Sequence, residues 1–265
     1  MNKNDNHFVH LKSRSHYSIL EGSIKIESLV NRASSYDMPA LALTDNCNLF
    51  GAMEFTKSCI KKGIQPIIGC NIALSFTDDI SSKSISNEIT LYVADSFGWK
   101  NLSKLVSNAY LNLKMFKNRC ITLNELVDNN KGLLVLYNDI ASKNIMEDIC
   151  SSKEYKLIKI LYETFKDRLY LDLFRENQVQ SIKERNLMNL SYKLKIPLIC
   201  SNNIYFLDQS MYEAHDCLYC IYQSTNIANL DRKKINKESY FKDAEEMITL
   251  FKDVPEAIEN TINFP

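Results

Sequence analysis

The chain has 265 residues, of which 45% are hydrophobic, and its 32 Lys and Arg balance its 32 Asp and Glu. Such a chain can bury one large core, and its zero net charge argues against a stand-alone nucleic-acid-binding module. Because no apolar run approaches the roughly 18 residues of a transmembrane helix, and the N-terminus MNKNDNHF lacks a signal-peptide core, we expect a cytoplasmic protein that does not bind membranes.

Short apolar runs alternate with helical patterns along most of the chain. The predicted strands are Phe8–Leu11, Ala40–Thr44, Pro66–Leu74, Ile89–Ala94, Leu133–Tyr137, Leu169–Leu173 and Leu198–Cys200. The predicted helices between them are Lys25–Ser35, Gly51–Lys62, Gly98–Leu113, Leu123–Val127, Ile140–Cys150, Glu154–Phe165 and Val179–Leu194. This alternation favours an α/β fold with a parallel sheet, and seven short strands are enough to close a barrel.

Two polar stretches interrupt this pattern. Ser75–Glu88 has no sustained period and is predicted to be a mobile surface loop. After Phe206 the pattern is purely helical, and the predicted helices are Ser210–Tyr222, Asp243–Phe251 and Pro255–Ile262, with the polar segment Gln223–Glu238 between the first two. Proline at 255 suits the first turn of a helix. We therefore predict a barrel over residues 1–206 and a helical extension over 207–265.

The eight cysteines are irregularly spaced, and together with the missing secretory signal this favours buried reduced thiols. Cys217 and Cys220 follow His215 and could form half of a zinc site, but no second CxxC exists to complete it. We expect both to pack in the core from one face of a helix. Cys47 and Cys70 could bind at most an adventitious soft metal ion.

The stretch from Pro39 to Asn71 carries the clearest candidate site. Ala40–Leu43 reads as a short buried strand, and Thr44, Asp45 and Asn46 follow where it ends, the place where α/β proteins put their chemistry. Taken alone, Asp45 would cap the next helix or accept hydrogen bonds from loop amides.

Three blocks of sequence carry a family resemblance: FVHLKSRSHYSILEG from Phe8, MPALALTDNCNLFG from Met38 and GIQPIIG from Gly63. Later matches are FGWKNL, PLICSNNIYF and EEMITLFKDVPEAIENT. On these motifs the chain resembles the N-terminal PHP (polymerase and histidinol phosphatase) domain of bacterial replicative DNA polymerase III alpha subunits. The resemblance implies an irregular seven-stranded β/α barrel with a C-terminal helical extension.

In metal-binding members of that family, ligands at the strand ends hold metal ions that hydrolyse phosphoesters. The resemblance places those ligand positions here at Lys12, Arg14, Asp45, Asn46, Asn71, Glu88, Asp139, Asn203 and Tyr205. Lys12 and Arg14 replace histidines, and neither a protonated amine nor a guanidinium offers a lone pair to a metal. Since Asp45 alone keeps the family's residue, we expect a vestigial cleft with no metal and no catalytic residue.

Two hypotheses follow for this cleft. In the first, Lys12 and Arg14 replace the lost metal charge by pairing with Asp45, with Glu88 and Asp139 as further partners; the alternative for these two cations is simple solvation at a strand end. In the second, Asp45, Glu88 and Asp139 bind Mg²⁺ or Mn²⁺ in an active phosphoesterase or 3′-5′ exonuclease. The nearby cations oppose that second hypothesis.

The resemblance implies a DNA-directed DNA polymerase, a nucleotidyltransferase, whose Mg²⁺-dependent polymerase domain lies outside this sequence. The fragment is then expected to be an inactive scaffold. It would support the polymerase body and dock the proofreading exonuclease subunit and other replicase subunits, while DNA binds through domains absent here. A stand-alone interaction module is the third hypothesis.

Overall fold

The computed structural model describes residues 7–75, 87–114, 119–138, 153–175 and 181–264. Its helices are α1 (Ile26–Ser35), α2 (Ala52–Lys62), α3 (Ser96–Leu111), α4 (Leu123–Asp128), α5 (Lys153–Phe165), α6 (Ile182–Leu194), α7 (Tyr212–Tyr222), α8 (Ala244–Leu250) and α9 (Pro255–Ile262). Its strands are β1 (Ala40–Leu43), β2 (Gln65–Ser75), β3 (Asn87–Val93), β4 (Cys120–Thr122), β5 (Leu133–Tyr137), β6 (Leu169–Phe174) and β7 (Leu198–Ser201). Within these ranges, no helix is both long and apolar enough to cross a membrane.

The strands form a mixed sheet in the order β1-β2-β3-β5-β6-β7, with β4 beside β2. β1 and β4 run parallel to β2, and β5 runs parallel to β6, but β3 is antiparallel to both β2 and β5. The predicted α/β class is confirmed, whereas the wholly parallel arrangement is wrong. Only residues 76–86 separate β2 from β3, fewer than the dozen or so residues that a parallel crossover needs.

The predicted elements match the observed ones closely, with two exceptions. Phe8–Leu11 is fully or almost fully buried but is not a strand, although Ala42 N donates to His10 O at 3.0 Å. Conversely, the three-residue strand β4 has no prediction, because it is too short to show a period. The predicted helix Ile140–Cys150 and the interior of the predicted loop Ser75–Glu88 lie outside the described residues.

The chain divides into two compact units. Of the described residues, the first contains 7–68, 175 and 201–264, and it holds β1, α1, α2 and the C-terminal helices α7 to α9. In α1 the buried residues Ile26, Leu29, Val30 and Ala33 follow helical spacing, so this apolar stripe faces the core of the unit. The boundary predicted at residue 206 stays a prediction.

Of the described residues, the second unit contains 69–75, 87–114, 119–138, 153–174 and 181–200. Its strands β3 and β5 are buried along nearly their whole length, as expected for strands covered on both faces. Capping fixes the helix starts: Asp95 accepts a hydrogen bond from Gly98 N at 2.8 Å, and Thr122 forms a capping box with Glu125.

In the first unit, the end of α8 is fixed by Arg175, whose side chain is 3% exposed. Its guanidinium donates to Leu250 O at 2.7 Å and to both carboxylate oxygens of Asp253, at 2.6 and 2.8 Å. The guanidinium carbon also lies 4.9 Å from the centre of the Phe251 ring. Proline at 255 opens α9, which confirms its predicted place in the first turn.

We expect Arg175→Met to lower the free energy of unfolding by about 2 kcal/mol, because the last carbonyl of α8 loses a charged donor. Urea denaturation measures this change. Arg119→Met is the matched control, since Arg119 is exposed and stacks on Tyr110 at the same 4.9 Å. It should cost less than about 0.5 kcal/mol, and equal losses in the two variants would contradict the role given to Arg175.

Candidate vestigial metal site

Asp45 lies at the end of β1 and is 1% exposed. Its Oδ1 accepts hydrogen bonds from Ser15 N at 2.8 Å and from Ser18 Oγ at 2.7 Å, and its Oδ2 accepts one from Ser15 Oγ at 2.7 Å. These donors come from the loop that follows the buried Phe8–Leu11 segment. The buried carboxylate therefore holds the loop in place through these three hydrogen bonds.

The polarity of both serine hydroxyls suits an ionised carboxylate. Ser15 Oγ accepts from Tyr17 N at 3.2 Å, and Ser18 Oγ accepts from Asn46 N at 3.0 Å, so each hydroxyl can give its proton to Asp45. Helix capping, one of the two roles considered for Asp45 alone, is not observed, since Gly51 precedes α2 and α2 has no side-chain cap. The other role, bonding to the loop, is the one the geometry shows.

Glu21 links the same loop to α7. Its Oε2 accepts from Asn46 Nδ2 at 2.6 Å, and its backbone oxygen lies 2.7 Å from His215 Nε2, which acts as the donor to it. Burial lowers the pKa of His215, so the neutral ring is favoured in the folded chain. The side-chain amide of Asn46, where the resemblance implies a metal ligand, thus forms a hydrogen bond with Glu21.

Two of the residues predicted to stand in place of family ligands contact each other. The guanidinium carbon of Arg14 lies 4.5 Å from the centre of the Tyr205 ring, a cation–π contact. His215 meets the same ring edge-on at 5.6 Å, and Asn203 is half-buried. The structure places Lys12 half-buried on the same segment as Arg14. The predicted pairing of Lys12 and Arg14 with Asp45 stays a prediction.

The second unit carries two further residues of the predicted site, Asn71 on β2 and Glu88 on β3. Asn71 is buried, and its Nδ2 donates to Glu88 Oε2 at 3.2 Å, while its Oδ1 accepts from Thr90 Oγ1 at 3.3 Å. Glu88 itself is exposed. Hydrogen bonds between the antiparallel strands β2 and β3 therefore connect these two side chains. Asp139 lies outside the described residues.

The residues present do not fit the metal ions that the family implies. Oδ1 of Asp45 already accepts two hydrogen bonds, while Lys12 and Arg14 are cations without lone pairs at positions where the resemblance implies ligands. Across the described ranges, no three His, Cys, Asp or Glu side chains are grouped so that they could hold a metal ion.

The cysteines fit the predicted free thiols in seven described positions. One detail is wrong: Cys220 is buried, but Cys217 is exposed. A helix needs 3.6 residues for a full turn, so side chains three residues apart do not point in the same direction. Cys47 and Cys70 are both buried, in the first and second unit respectively. His7 and His16 are exposed, and neither has a role in the site.

His10 is fully buried between aromatic rings, with ring centroids 5.0 Å from Phe8 and 4.7 Å from Phe241. Its Nε2 donates to Lys242 O at 2.8 Å, and its Nδ1 has no hydrogen-bond partner in the described part of the chain. Burial is the main cause that lowers the pKa of His10 to about 4; the Lys242 charge acts in the same direction, and the hydrogen bond to Lys242 O opposes them. The neutral ring is therefore the folded form.

This burial predicts a pH dependence. The unfolded chain takes up a proton at His10 near pH 6.5, but the folded chain does so only near pH 4, so the free energy of unfolding falls as pH drops through that window. Between about pH 7 and about pH 5 the loss from His10 should be about 2 kcal/mol. Urea denaturation across this range should show a shallower pH slope for His10→Gln. His7→Gln should keep the wild-type slope, and an unchanged slope in His10→Gln would contradict the assignment.

Sequence reasoning missed Ser15, Ser18 and Glu21, the side chains that hold Asp45 and Asn46. Both serines belong to the first family block, SRSHYSILEG, so the signal was present. They are not candidate metal ligands, because a serine hydroxyl is a poor ligand for such sites. Their role follows from the hydrogen bonds alone.

Comparison with known proteins shows a match to the PHP domain family over residues 10–176. The DNA polymerase III subunit alpha of Rickettsia bellii (strain RML369-C) is 37% identical over 260 residues, which cover 97% of this chain and 22% of that protein. The subunit from Caulobacter vibrioides (strain NA1000 / CB15N) is 33% identical over 261 residues, covering 97% and 23%. The chain thus spans about a fifth of the length of these curated relatives.

Among solved structures, a candidate metal-dependent phosphoesterase from Bifidobacterium adolescentis ATCC 15703 has a TM-score of 0.51 to this chain. Its sequence is 11% identical, and the match covers 92% of this chain and 96% of that one. At this identity the likeness concerns the fold alone.

Proposed function

We propose, from the premise that this chain belongs to the PHP domain family, that it is a metal-free PHP scaffold without hydrolytic activity. The observation that carries this proposal is the hydrogen bonding of Asp45. The family ligand kept in this chain is committed to Ser15 and Ser18, so it stabilises a loop rather than a metal ion. The cationic residues at positions 12 and 14 support the same reading.

The experiment for this role is a hydrolysis assay. The chain should fail to hydrolyse bis-p-nitrophenyl phosphate with added Mg²⁺, Mn²⁺ or Zn²⁺, and Asp45→Asn should leave that background unchanged. Metal-stimulated turnover that Asp45→Asn abolishes would instead favour the alternative, a phosphoesterase or exonuclease using Asp45, Glu88 and Asp139.

The alpha-subunit relatives support a wider proposal about the complete protein. With 33–37% identity over 97% of this chain, these relatives suggest that the chain is the PHP portion of a replicative DNA-directed DNA polymerase in the cytoplasm. Nucleotidyl transfer and its Mg²⁺ would then belong to a polymerase domain outside these residues. The length of the open reading frame that encodes the chain tests this, and a stop codon shortly after the codon for Pro265 would favour a stand-alone module.

For the scaffold's partner we propose the proofreading exonuclease subunit of the same replicase. A fold that has lost its own metal ligands leaves removal of misincorporated nucleotides to another protein. Pull-down of the exonuclease subunit by this chain tests the proposal, and a urea-denatured sample of the same chain, which should capture nothing, shows that binding needs the folded domain. Binding only to longer alpha-subunit fragments would move the docking role to later domains.

A further inference from the structure

The segment Arg232–Lys237 is a cluster of positive charge in a chain of zero net charge. It contains four cationic residues and no carboxylate. Lys233, Lys234 and Lys237 are exposed, and none of them forms an ion pair within the part of the chain that the structure describes. The chain's net charge conceals this cluster, which we call the basic segment.

The basic segment is held rigidly against α7. Arg232 is buried, and its guanidinium donates to both carboxylate oxygens of Asp216, at 2.6 and 2.5 Å. At the end of α7, the Gln223 amide nitrogen donates to Lys233 O at 2.8 Å, and Lys233 N donates to the Gln223 side-chain oxygen at 3.1 Å. The lysine side chains therefore project from a fixed backbone, which lowers the entropy lost when they bind a ligand.

Tyrosines of α7 accompany the basic segment. Lys237 Nζ lies 5.2 Å from the centre of the Tyr212 ring, at the start of α7, whereas Lys233 lies beside Gln223 at its end. The segment thus runs antiparallel to the helix. Tyr222 is 48% exposed and stacks on Tyr219, with 5.4 Å between ring centres. A cavity of about 500 Å³ opens between the Tyr212 end of α7 and Lys234 and Lys237.

We propose that the basic segment and the tyrosine face of α7 bind the phosphodiester backbone of single-stranded nucleic acid. Proteins that bind such strands combine lysines with exposed aromatic rings, because the cations neutralise phosphates and the rings stack on bases. Lys233, Lys234 and Lys237 contact phosphates, and Tyr222 offers a ring to a base. Arg232 and Asp216 position the segment without touching the strand.

Binding of a fluorescent oligothymidylate to the whole chain, measured by anisotropy over a salt series, tests the proposal. Three phosphate contacts predict a log–log salt slope of about −2, which is an affinity loss of about 20-fold between 50 and 200 mM salt. The triple variant Lys233→Gln, Lys234→Gln, Lys237→Gln should bind at least about 10-fold more weakly at low salt and lose most of that slope. Tyr222→Ala should weaken binding while keeping the slope.

The matched control is the triple variant Lys57→Gln, Lys61→Gln, Lys62→Gln, which removes the same charge from exposed positions of α2. It should stay within about 2-fold of the wild type with an unchanged slope. Equal losses in the two triple variants, or no oligonucleotide binding by the wild type, would overturn the proposal.

Competition separates a nucleic-acid strand from other anions. Inorganic triphosphate and polyglutamate, each at the same total charge as the oligonucleotide, should compete poorly because neither offers bases to the tyrosines. If triphosphate displaces the labelled strand as strongly as unlabelled oligonucleotide does, the site binds small polyphosphates and the proposal of a nucleic-acid strand is overturned. Displacement by polyglutamate of that strength would assign it to an acidic peptide. None of these results bears on the metal-free scaffold, which is tested by hydrolysis.

Discussion

Asp45→Ala should destabilise the chain by about 3–5 kcal/mol in the presence of a metal chelator. The substitution leaves the Ser15 amide and the Ser15 and Ser18 hydroxyls, three donors that are buried with Asp45, without their shared acceptor. Charge-assisted hydrogen bonds are stronger than neutral ones, and donors that lose a common partner cannot easily find water in a closed site. Urea denaturation in the presence of EDTA measures the loss.

The chelator makes this result informative about function. A carboxylate kept only as a metal ligand would cost no stability on removal from metal-free protein, whereas a loop-organising carboxylate costs the full amount. Asp45→Asn should fall between, at about 1–2 kcal/mol, because the amide keeps one acceptor oxygen and the hydroxyls can rotate to accept from its nitrogen. Glu54→Ala removes an exposed carboxylate bound to Tyr17 and should cost less than about 0.5 kcal/mol.

Gly22→Ala should destabilise the first unit by about 2–4 kcal/mol, because a Cβ at this position would lie 2.1 Å from Ser15 O and 2.9 Å from Ser15 C. The obstacle is backbone, so the Ser15 peptide has to move. That movement carries the Ser15 amide and hydroxyl away from Asp45. Thermal and urea denaturation should both show the loss.

Gly63→Ala is the control for this substitution. Gly63 ends α2 with a φ of +71°, but nothing lies within 4 Å of a Cβ built there. Its alanine variant should lose only about 1–2 kcal/mol, the cost of a left-handed conformation. If Gly22→Ala costs no more than Gly63→Ala, the close packing of the loop against Ser15 is not what Gly22 provides.

The elements of the fold could be predicted because local signals mark them. Apolar runs such as Leu133–Tyr137, and helical stripes such as that of α1, report burial directly along the sequence. The direction of β3 could not be read from such runs, because strand direction depends on which strands pair. The connection between β2 and β3, which is too short for a parallel crossover, is the feature of the sequence that indicates this direction.

The candidate site shows a similar division. The family resemblance predicts a site at Asp45 and at the substituted positions, including Arg14 and Tyr205. It could not show that these two side chains pack on each other, since one follows the N-terminal segment and the other follows β7. The basic segment could not be predicted from the net charge, because net charge is a sum over the whole chain, while binding depends on where the charges lie.

The central claim is that the PHP fold of this chain holds no hydrolytic metal. Metal content of the chain purified without chelators, measured by inductively coupled plasma mass spectrometry after dialysis against Zn²⁺ or Mn²⁺, tests it most directly. We predict only trace metal, equal in wild type and in Asp45→Asn. Stoichiometric metal in the wild type that is lost in Asp45→Asn would contradict the claim.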